Sequence, residues 1–566
     1  MFTHLSTETR QIIASLYGLP DADVAWVFPP DSSQGDLSTS VALKIAGGLG
    51  KKPQEIARSI ADAISLSPSV EHAEVAGPGY VNIRLTVARL LEAWKEAHAA
   101  IAPVSERDEN PVIVDFCGPN IAKPLGAHHL GSHIIGQAII NLYRHTGAHV
   151  IGWSYPGDWG TQFGKLWVAY DRWGDKKKSL KDVTVEDLLA LYVRFHEEAE
   201  KDATLDDAAR AAFRKIEEGD AALRSFWADT VAVTKKDLDE IYVRLHVHID
   251  RETGESFYEN RMQPIIEEGI AKGVFQEGEG GSLIVPFAEE TGMPPLLIRK
   301  GDGATLYATR DLAMIRYRID TAHPSAMYYV VDVAQRLHFQ QVFATAALLG
   351  WEMPEHEHTV FGRMRFSGAA MSTRKGTSLR MRQLLDEAVK RAGDIITERG
   401  DAIQADDPKD LAEMMGVGAV AYGILSQNRA MDIVFDWDRM LSFEGNSAPY
   451  LQYTHARARS VLRKAALAGD PVLPAVDVLE PEDRKLLLML LRFPIVLAES
   501  RDARMPHKLT NYLYALCQSF NSFYNSVPIL QATAPLRDLR LVLTASVADM
   551  LRTGASLLTI RVPDRM

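Results

Sequence analysis

A cluster of polar side chains lies in and just before the stretch PNIAKPLGAHHLGSHIIG, residues 119–136, which joins the apolar run PVIVDF to a helix-like run. A loop between a strand and a helix often holds phosphate, because the first turn of the helix offers unpaired backbone N–H groups. Its polar residues are Asp115, Asn120, Lys123, His128, His129 and Ser132. The basic side chains can face a polyphosphate, and the carboxylate and amide can hold a cation. The pattern predicts a nucleotide site.

A second basic loop, AMSTRKGTS, follows near residue 370 and combines small hydroxyls with two cations, which suits a loop that grips phosphate. Its candidate residues are Met371, Ser372, Arg374 and Lys375. Neither loop identifies a nucleotide site alone. The chain lacks the patterns G-x-x-x-x-G-K-[ST], H-E-x-x-H, C-x-x-C and G-x-S-x-G, which excludes P-loop enzymes, zincins and hydrolases with a nucleophile elbow.

The elements that must position these loops alternate between strands and helices. PVIVDF, a helix over HLGSHIIGQAIINLYRHTG and the run AHVIGWS form a strand–helix–strand unit, which predicts a parallel sheet. Gly147 is placed to end that helix. Strand-like runs return at SLIVPF and AMYYVVDV, so the simplest arrangement is one sheet interrupted by a helical insertion over about 175–280. After about residue 385 the patterns are almost entirely helical.

The first 105 residues form a separate small α+β unit. Pro53 suits the first turn of a helix, and a strand pair surrounds the turn Gly77-Pro78-Gly79. The polar segment APVSERDENP reads as a linker. The predicted fold is therefore α/β, with an N-terminal α+β domain over 1–105, a parallel-sheet domain over 106–384 and an all-α bundle over 385–566.

Composition limits the function classes further. The 566-residue chain has a net charge of −12, which argues mildly against a nucleic-acid binder. No acidic residue lies between Glu444 and Asp470, however, and the same stretch carries Arg457, Arg459, Arg463 and Lys464. Either a solvated face or a phosphate-binding face fits that helix. Two distant cysteines suit a reducing compartment, and we find neither a signal peptide nor a membrane span, so we expect a cytoplasmic protein without membrane partners.

The sequence resembles the arginyl-tRNA synthetases, a family of class I aminoacyl-tRNA synthetases, nearly from end to end. The stretches that carry the resemblance are VAGPGYVNIRL, PNIAKPLGAHHLGSHIIG, GDWGTQFGKL, DGATLYATRDLAMIRYR, QRLHFQQVF, MSTRKG, FDWDRMLSFEGNSAPYLQYTHAR, HKLTNYLYALCQSFNSFYNSVPIL and RVPDRM. They occur in the order found in the family.

The resemblance implies a Rossmann catalytic domain that joins arginine to ATP, giving arginyl-adenylate and pyrophosphate, and then passes the arginyl group to the terminal ribose of tRNA(Arg). It implies Mg²⁺ only as the counterion of ATP, no structural metal, and a monomer. Residues 1–105 match the unit that grips the tRNA elbow, and residues 385–566 match the helical stem and anticodon-binding domain.

The resemblance also assigns roles to residues. The implied arginine-binding residues are Asp115, Asn120, Tyr307, Asp311 and Gln341. The implied ATP-binding residues are His129, Ser132, Met371, Ser372, Arg374 and Lys375, and the implied catalytic residues are Lys123, His128 and His129. The implied tRNA-binding residues are Arg457, Arg459, Arg463, Lys464, Tyr450 and Tyr453, where the tyrosines are equally compatible with core packing. Tyr307 and Asp311 share a face if their segment is helical.

Both ATP motifs depart from the family. Its H-x-G-H pattern falls on Gly126-Ala127-His128-His129, so that only His129 is in its usual place, and Gly131 stands where arginine is usual. The two lysines of K-M-S-K-S fall on Ala370 and Thr373. The resemblance offers Lys123 as a substitute for a lost lysine.

Three hypotheses follow from these departures. The first is an arginine–tRNA ligase with a divergent ATP loop, in which His128 supplies the lost imidazole after a shift of register. The second is a specialised paralogue that serves a pathway outside translation. The third is a catalytically silent protein that binds tRNA or arginine.

Overall fold

The computed structural model describes residues 2–29, 34–107, 109–366, 379–400, 403–466 and 469–566. The α-helices in these ranges are α1 Thr3–Tyr17, α2 Val41–Leu49, α3 Pro53–Ile64, α4 Val87–Ala99, α5 Leu130–His145, α6 Thr161–Trp173, α7 Val185–Ala199, α8 Thr204–Glu217, α9 Ala221–Leu245, α10 Met262–Ala271, α11 Tyr307–Ala322, α12 Arg336–Leu348, α13 Met381–Arg399, α14 Pro408–Leu425, α15 Trp437–Met440, α16 Ala448–Ala465, α17 Pro481–Leu491, α18 Phe493–Asp502, α19 His507–Ser526 and α20 Leu536–Leu557. The strands are β1 Leu37–Thr39, β2 Val70–Ala76, β3 Tyr80–Leu85, β4 Val112–Asp115, β5 Val150–Ser154, β6 Arg251–Glu252, β7 Gln276–Glu277, β8 Leu283–Val285, β9 Leu296–Arg299, β10 Ala326–Tyr329, β11 Glu355–His358, β12 Met364–Phe366 and β13 Ile433–Phe435.

The N-terminal domain is a three-stranded antiparallel sheet, in the order β1-β3-β2, covered by helices. The helix predicted from Pro53 and the strand pair around Gly77-Pro78-Gly79 are both confirmed. Gly79 has a φ of 141°, and a Cβ there would lie 2.8 Å from Cβ of Pro53. The tight turn therefore needs glycine both for its backbone angle and for its approach to α3.

The central sheet is parallel and has the strand order β11-β10-β4-β5-β6. β4 is its first strand in the chain, and β5 and β10 lie on opposite sides of it. The carboxyl end of β4 is therefore a topological switch point, where open α/β sheets bind ligands. The predicted strand–helix–strand unit is confirmed as β4–α5–β5, and Gly147, with a φ of 89°, follows the end of α5.

The strand-like run SLIVPF does not join this sheet. It forms β8, which pairs antiparallel with β7 and β9 in a separate three-stranded sheet. The turn between β7 and β8 is closed by a 2.8 Å hydrogen bond from the N–H of Gly278 to the carbonyl of Ser282. So short a connection can join only antiparallel neighbours, so the expectation of a single interrupted sheet is correct for AMYYVVDV, now β10, but wrong for SLIVPF.

Helices α6–α9 lie between β5 and β6 in the chain, and α13–α20 form the C-terminal bundle. Asp36 of the N-terminal domain and Arg484 of α17 join these two parts through a buried ion pair, in which Nε donates to Oδ1 at 2.9 Å and Nη2 contacts Oδ2. Nη2 of Arg484 also donates to the carbonyl of Leu85 at 2.6 Å. Within the described ranges, no helix is long and apolar enough to cross a membrane.

Candidate functional site

A cleft of about 470 Å³ opens at the switch point, beyond the carboxyl ends of β4 and β10. It brings together six of the residues predicted from sequence, namely Asp115, His128, His129, Ser132, Tyr307 and Asp311. It does not bring in Asn120, Lys123 or Gln341, which lie off its wall. The predicted residues Met371, Ser372, Arg374 and Lys375 lie outside the described part of the chain. The cleft has an imidazole-rich end near α5 and a carboxylate-rich end near α11.

At the imidazole-rich end, residues 127–129 form a 3-10 turn that leads into α5. Nδ1 of His129 lies 3.1 Å from the backbone nitrogen of Gly126 and 3.2 Å from its carbonyl oxygen, so it accepts from the first or donates to the second according to its tautomer. Burial, helped by the nearby His128 and His133, lowers the pKa of His129 to about 4, so this imidazole is neutral at pH 7. In the tautomer whose Nδ1 accepts, Nε2 carries the proton and can donate to a phosphate oxygen. The exposed ring of His128 lies 4.0 Å from that of His129.

Gly131 stands where the first turn of α5 meets Phe361. A Cβ at this position would lie 2.7 Å from the Phe361 ring, which is buried and lines the cleft. The missing side chain thus lets Phe361 close over the start of the helix. Ser132, one residue later, joins the chain after β4 to the chain after β10: its hydroxyl donates to the carbonyl of Val330 at 2.8 Å and accepts from the N–H of Cys117 at 3.2 Å.

Lys123 points toward the helical insertion. Its Nζ lies 4.6 Å from the ring centre of Tyr192 on α7. The preceding residue, Ala122, has a φ of 68°, and its N–H donates to the hydroxyl of Thr234 on α9 at 3.1 Å. Asn120 is exposed and forms a backbone bridge with Gly157. The insertion thus fixes the conformation of the loop that carries Lys123.

Asp115 ends β4 at the base of the cleft, where it pairs with a cation of the protein itself. Nη1 of the fully buried Arg318 lies 2.6 Å from Oδ2 of Asp115. The guanidinium of Arg318 also lies 5.0 Å from the ring centre of Trp153. Burial raises the pKa of Asp115, although the charge of Arg318 opposes that rise. Asp115 is therefore partly neutralised before any ligand binds.

At the carboxylate-rich end, the segment of Tyr307 and Asp311 is helical, as α11, and it presents both side chains to the cleft one turn apart. Oδ2 of Asp311 lies 2.5 Å from Nε2 of His338 on α12. Tyr307 is 59% exposed, and its ring lies 4.9 Å from that of His338. Gln341 is buried one turn further along α12, where its Nε2 donates to the carbonyl of Pro294 at 2.7 Å.

The cleft is also lined by four polar residues that were not predicted from the sequence, namely His133, Tyr155, Glu255 and His338. Burial raises the pKa of Glu255 to about 7. The charge of Arg310 partly offsets that rise, and the charge of Asp311 adds to it. Tyr155 and Glu255 follow β5 and β6, about 100 residues apart in the chain. The sequence indicated this region only through the motif GDWGTQFGKL. Its Asp158 accepts hydrogen bonds from the N–H and the hydroxyl of Ser256, the residue after Glu255.

The described residues contain no group of three or more His, Cys, Asp or Glu side chains placed to hold a metal ion. Asp115 and Asn120, which the sequence offered for a cation, do not lie together at such a site: Asp115 is engaged by Arg318, and Asn120 is on the exposed side of its loop.

A second cleft, of about 500 Å³, lies on the C-terminal bundle and is lined by Tyr453, Arg457, Arg463, Lys464 and Tyr524, among others. The Arg457 guanidinium lies 4.7 Å from the ring centre of Tyr453 and 5.2 Å from that of Tyr524. Arg463 and Lys464 are exposed. Asp564 holds two of the arginines: its carboxylate accepts from Nε of Arg459 at 3.2 Å, and its carbonyl accepts from Nη1 of Arg463 at 2.7 Å. The hydroxyl of Tyr450 lies 3.0 Å from Nδ2 of Asn521, which donates to it, so Tyr450 is tied into the bundle.

Comparison with known proteins gives matches along the whole chain. Residues 96–437 match the model of the catalytic domain of class I tRNA synthetases (R), residues 451–566 the DALR anticodon binding domain, and residues 3–85 the arginyl tRNA synthetase N terminal domain.

Individual relatives agree. An arginine–tRNA ligase of Fusobacterium nucleatum is 36% identical over 534 residues, which are 94% of this chain and 93% of the relative. One of Alkaliphilus metalliredigens is 37% identical over 549 residues, 95% of each chain. The arginyl-tRNA synthetase structure of Thermus thermophilus has a TM-score of 0.82 at 26% identity and covers 100% of both chains.

Proposed function

This chain belongs to the arginyl-tRNA synthetase family and is an arginine–tRNA ligase, and we propose that the cleft at the end of β4 is where it activates arginine with ATP. A carboxylate oxygen of arginine attacks the α-phosphorus of ATP, the bond to the β-phosphate breaks, and pyrophosphate leaves. The hydroxyl of the terminal ribose of tRNA then attacks the arginyl carbonyl, and AMP leaves.

The observation that carries this assignment is the polarity of the cleft. Asp311 and Glu255 lie at one end, where carboxylates suit a planar guanidinium with five N–H donors. His128, His129 and the first turn of α5 lie at the other end, where N–H donors suit phosphate. Arginine and ATP would thus meet over Val330 and Val331, with the reacting groups in the middle.

Within this cleft we assign the roles residue by residue. Asp311, Tyr307 and Glu255 accept the guanidinium, while Nε2 of His129 and the exposed imidazole of His128 face the triphosphate, so that His128 takes the place of the histidine missing at position 126. Lys123 reaches the phosphates only after leaving Tyr192. Mg²⁺ enters with ATP as its counterion.

We also propose that the bundle cleft and the N-terminal domain hold tRNA(Arg). Arg463 and Lys464 are exposed cations that attract phosphate whatever the sequence, and Tyr453 and Tyr524 offer faces on which unpaired bases stack. The comparisons give no support to a paralogue with another purpose or to a silent binding protein. We expect the protein to be a monomer, and light scattering tests this through its molar mass.

Arginine-dependent ATP–pyrophosphate exchange, measured with and without tRNA, tests the proposal. Exchange that appears with tRNA supports a working cleft, and charging of tRNA with labelled arginine then confirms transfer. Absence of exchange in both conditions, while the protein still binds tRNA in a filter assay, would instead support the silent alternative.

A further inference from the structure

The hydroxyl of Tyr155 is buried in the carboxylate-rich end of the cleft and has no hydrogen-bond partner among the described residues. Tyr155 directly follows β5, at the carboxyl end of this strand of the parallel sheet. A buried hydroxyl without a partner is costly, and such groups are uncommon in folded proteins. An unpaired hydroxyl that faces a ligand cleft therefore indicates that a bound ligand supplies its hydrogen-bond partner.

Backbone pairing joins the segment of Tyr155 to the segment of Glu255. The N–H of Thr253 donates to the carbonyl of Ser154 at 3.1 Å, and the N–H of Glu255 donates to the carbonyl of Pro156 at 3.0 Å. These two bonds continue the β5–β6 pairing past the end of the sheet, with Tyr155 between them. The segments that carry the phenol and the carboxylate are therefore fixed relative to each other, and both side chains line the cleft.

The aromatic neighbour Tyr258 does not supply a hydrogen bond to the Tyr155 hydroxyl. The ring of Tyr258 lies 5.7 Å from that of Tyr155, but the Tyr258 hydroxyl is already 2.7 Å from the hydroxyl of Thr253. Burial and the negative charges of Asp311 and Glu255 raise the pKa of Tyr155 well above its usual range, so the phenol stays neutral. A neutral phenol keeps oxygen lone pairs that accept from a cationic donor.

We infer that the Tyr155 hydroxyl accepts a hydrogen bond from the guanidinium of bound arginine and so helps to select that substrate. This assignment rests on the proposed function of the cleft. A guanidinium has five N–H groups and no acceptor, so it needs more acceptor atoms than one carboxylate provides. Asp311 already shares an oxygen with His338, and Arg310 lies 3.9 Å from Glu255, which leaves room for a third acceptor.

The test is Tyr155→Phe, which removes one oxygen and keeps the ring. Calorimetric titration with L-arginine is expected to show a Kd raised roughly tenfold, as for a hydrogen bond to a charged group. The Kd for ATP is expected to stay unchanged. The Tm of the ligand-free protein is expected to be no lower than that of the wild type, because no existing bond is lost.

Tyr242→Phe is the matched control. Its hydroxyl is likewise buried without a partner in the described part of the chain, but Tyr242 does not line the cleft. It should leave the Kd for arginine unchanged. Agmatine, which keeps the guanidinium and lacks the carboxylate, locates the contact: its inhibition constant against arginine should rise by the same factor in Tyr155→Phe.

An unchanged Kd for arginine in Tyr155→Phe, or a lowered Tm, would overturn the inference. A loss for arginine without a loss for agmatine would place the contact at the amino-acid end and overturn the guanidinium assignment. Failure of the folded wild-type protein to bind arginine would overturn the proposed function itself, and this inference with it.

Discussion

Nε2 of His338 lies 2.5 Å from Oδ2 of Asp311, which ties α12 to α11 across the mouth of the cleft. The two side chains are mostly buried, at 11% and 14% exposed. Since the imidazole engages one carboxylate oxygen, it orients the other for a ligand. The carboxylate of Asp311 is therefore positioned before substrate binds, which lowers the cost of ordering it.

Asp311→Ala should raise the KM for arginine at least tenfold and leave the KM for ATP unchanged, because it removes a charged acceptor of the guanidinium. His338→Gln should act in the same direction with a smaller effect, since it only loosens Asp311. Pyrophosphate exchange in the presence of tRNA measures both constants. His356→Gln, on an exposed histidine of β11, is the control, and equal losses for arginine and ATP in Asp311→Ala would mean a structural role.

Arginine binding should strengthen with pH through the titration of Glu255. With a pKa of about 7, the carboxylate ionises mainly between pH 6 and pH 8, so the Kd for arginine should fall about tenfold over that interval. In the ligand-free protein the sign is opposite. The folded pKa is above the ordinary value of 4.5, so the stability that protonated Glu255 contributes is present below pH 4.5 and lost as the pH rises through 7.

Glu255→Gln separates this group from others that titrate in the same range. The variant should bind arginine weakly at every pH, with a flat profile between pH 6 and pH 8. A tenfold change that persists in Glu255→Gln would assign the pH dependence to another group.

His129→Ala and Lys123→Ala should each reduce adenylate formation at least tenfold, since each removes a donor to phosphate, and should leave the Kd for tRNA unchanged. Single-turnover formation of adenylate and filter binding of tRNA measure the two quantities. Lys177→Ala, on an exposed lysine of the helical insertion, should change neither. Full activity in both His129→Ala and Lys123→Ala would remove the loop before α5 from the ATP site.

Gly131→Ala should destabilise the protein by about 1–3 kcal/mol and raise the KM for ATP, because the new methyl group overlaps the Phe361 ring. The midpoint of urea unfolding and pyrophosphate exchange measure the two effects. Phe361→Leu in the same chain should recover part of the loss, which a double-mutant cycle detects. Gly48→Ala is the control, since Gly48 lies in α2 with open space around it, and should stabilise slightly.

Local patterns predicted the parts of the fold that depend on neighbouring residues. Pro53 marked the start of α3, and the four-residue spacing of Tyr307 and Asp311 placed both on the cleft side of α11. The strand–helix–strand pattern predicted parallel strands β4 and β5 and a ligand-binding loop between β4 and α5, because such a unit follows from its short connections.

The positions of the other site residues depend on contacts between segments that are distant in the sequence. Glu255 and Tyr155 reach the cleft because β5 pairs with β6 across the whole helical insertion, and no spacing in the sequence reports that pairing. Lys123 faces Tyr192 for the same reason, since α7 folds back over the loop. The separate sheet of β7, β8 and β9 was missed because a short apolar run is equally suited to a parallel or an antiparallel neighbour.

The buried pair of Asp36 and Arg484 bears on how such a chain can change over generations. The two residues lie 448 positions apart in the chain, and each neutralises the other where both are buried. Loss of Arg484 leaves Asp36 buried without its cation, which costs about 3–5 kcal/mol, whereas loss of Asp36 leaves Arg484 with Glu71 at 3.6 Å. The N-terminal domain therefore cannot be deleted without loss of stability. A lineage that loses this domain must also acquire substitutions in α17, so the two ends of the protein are inherited together.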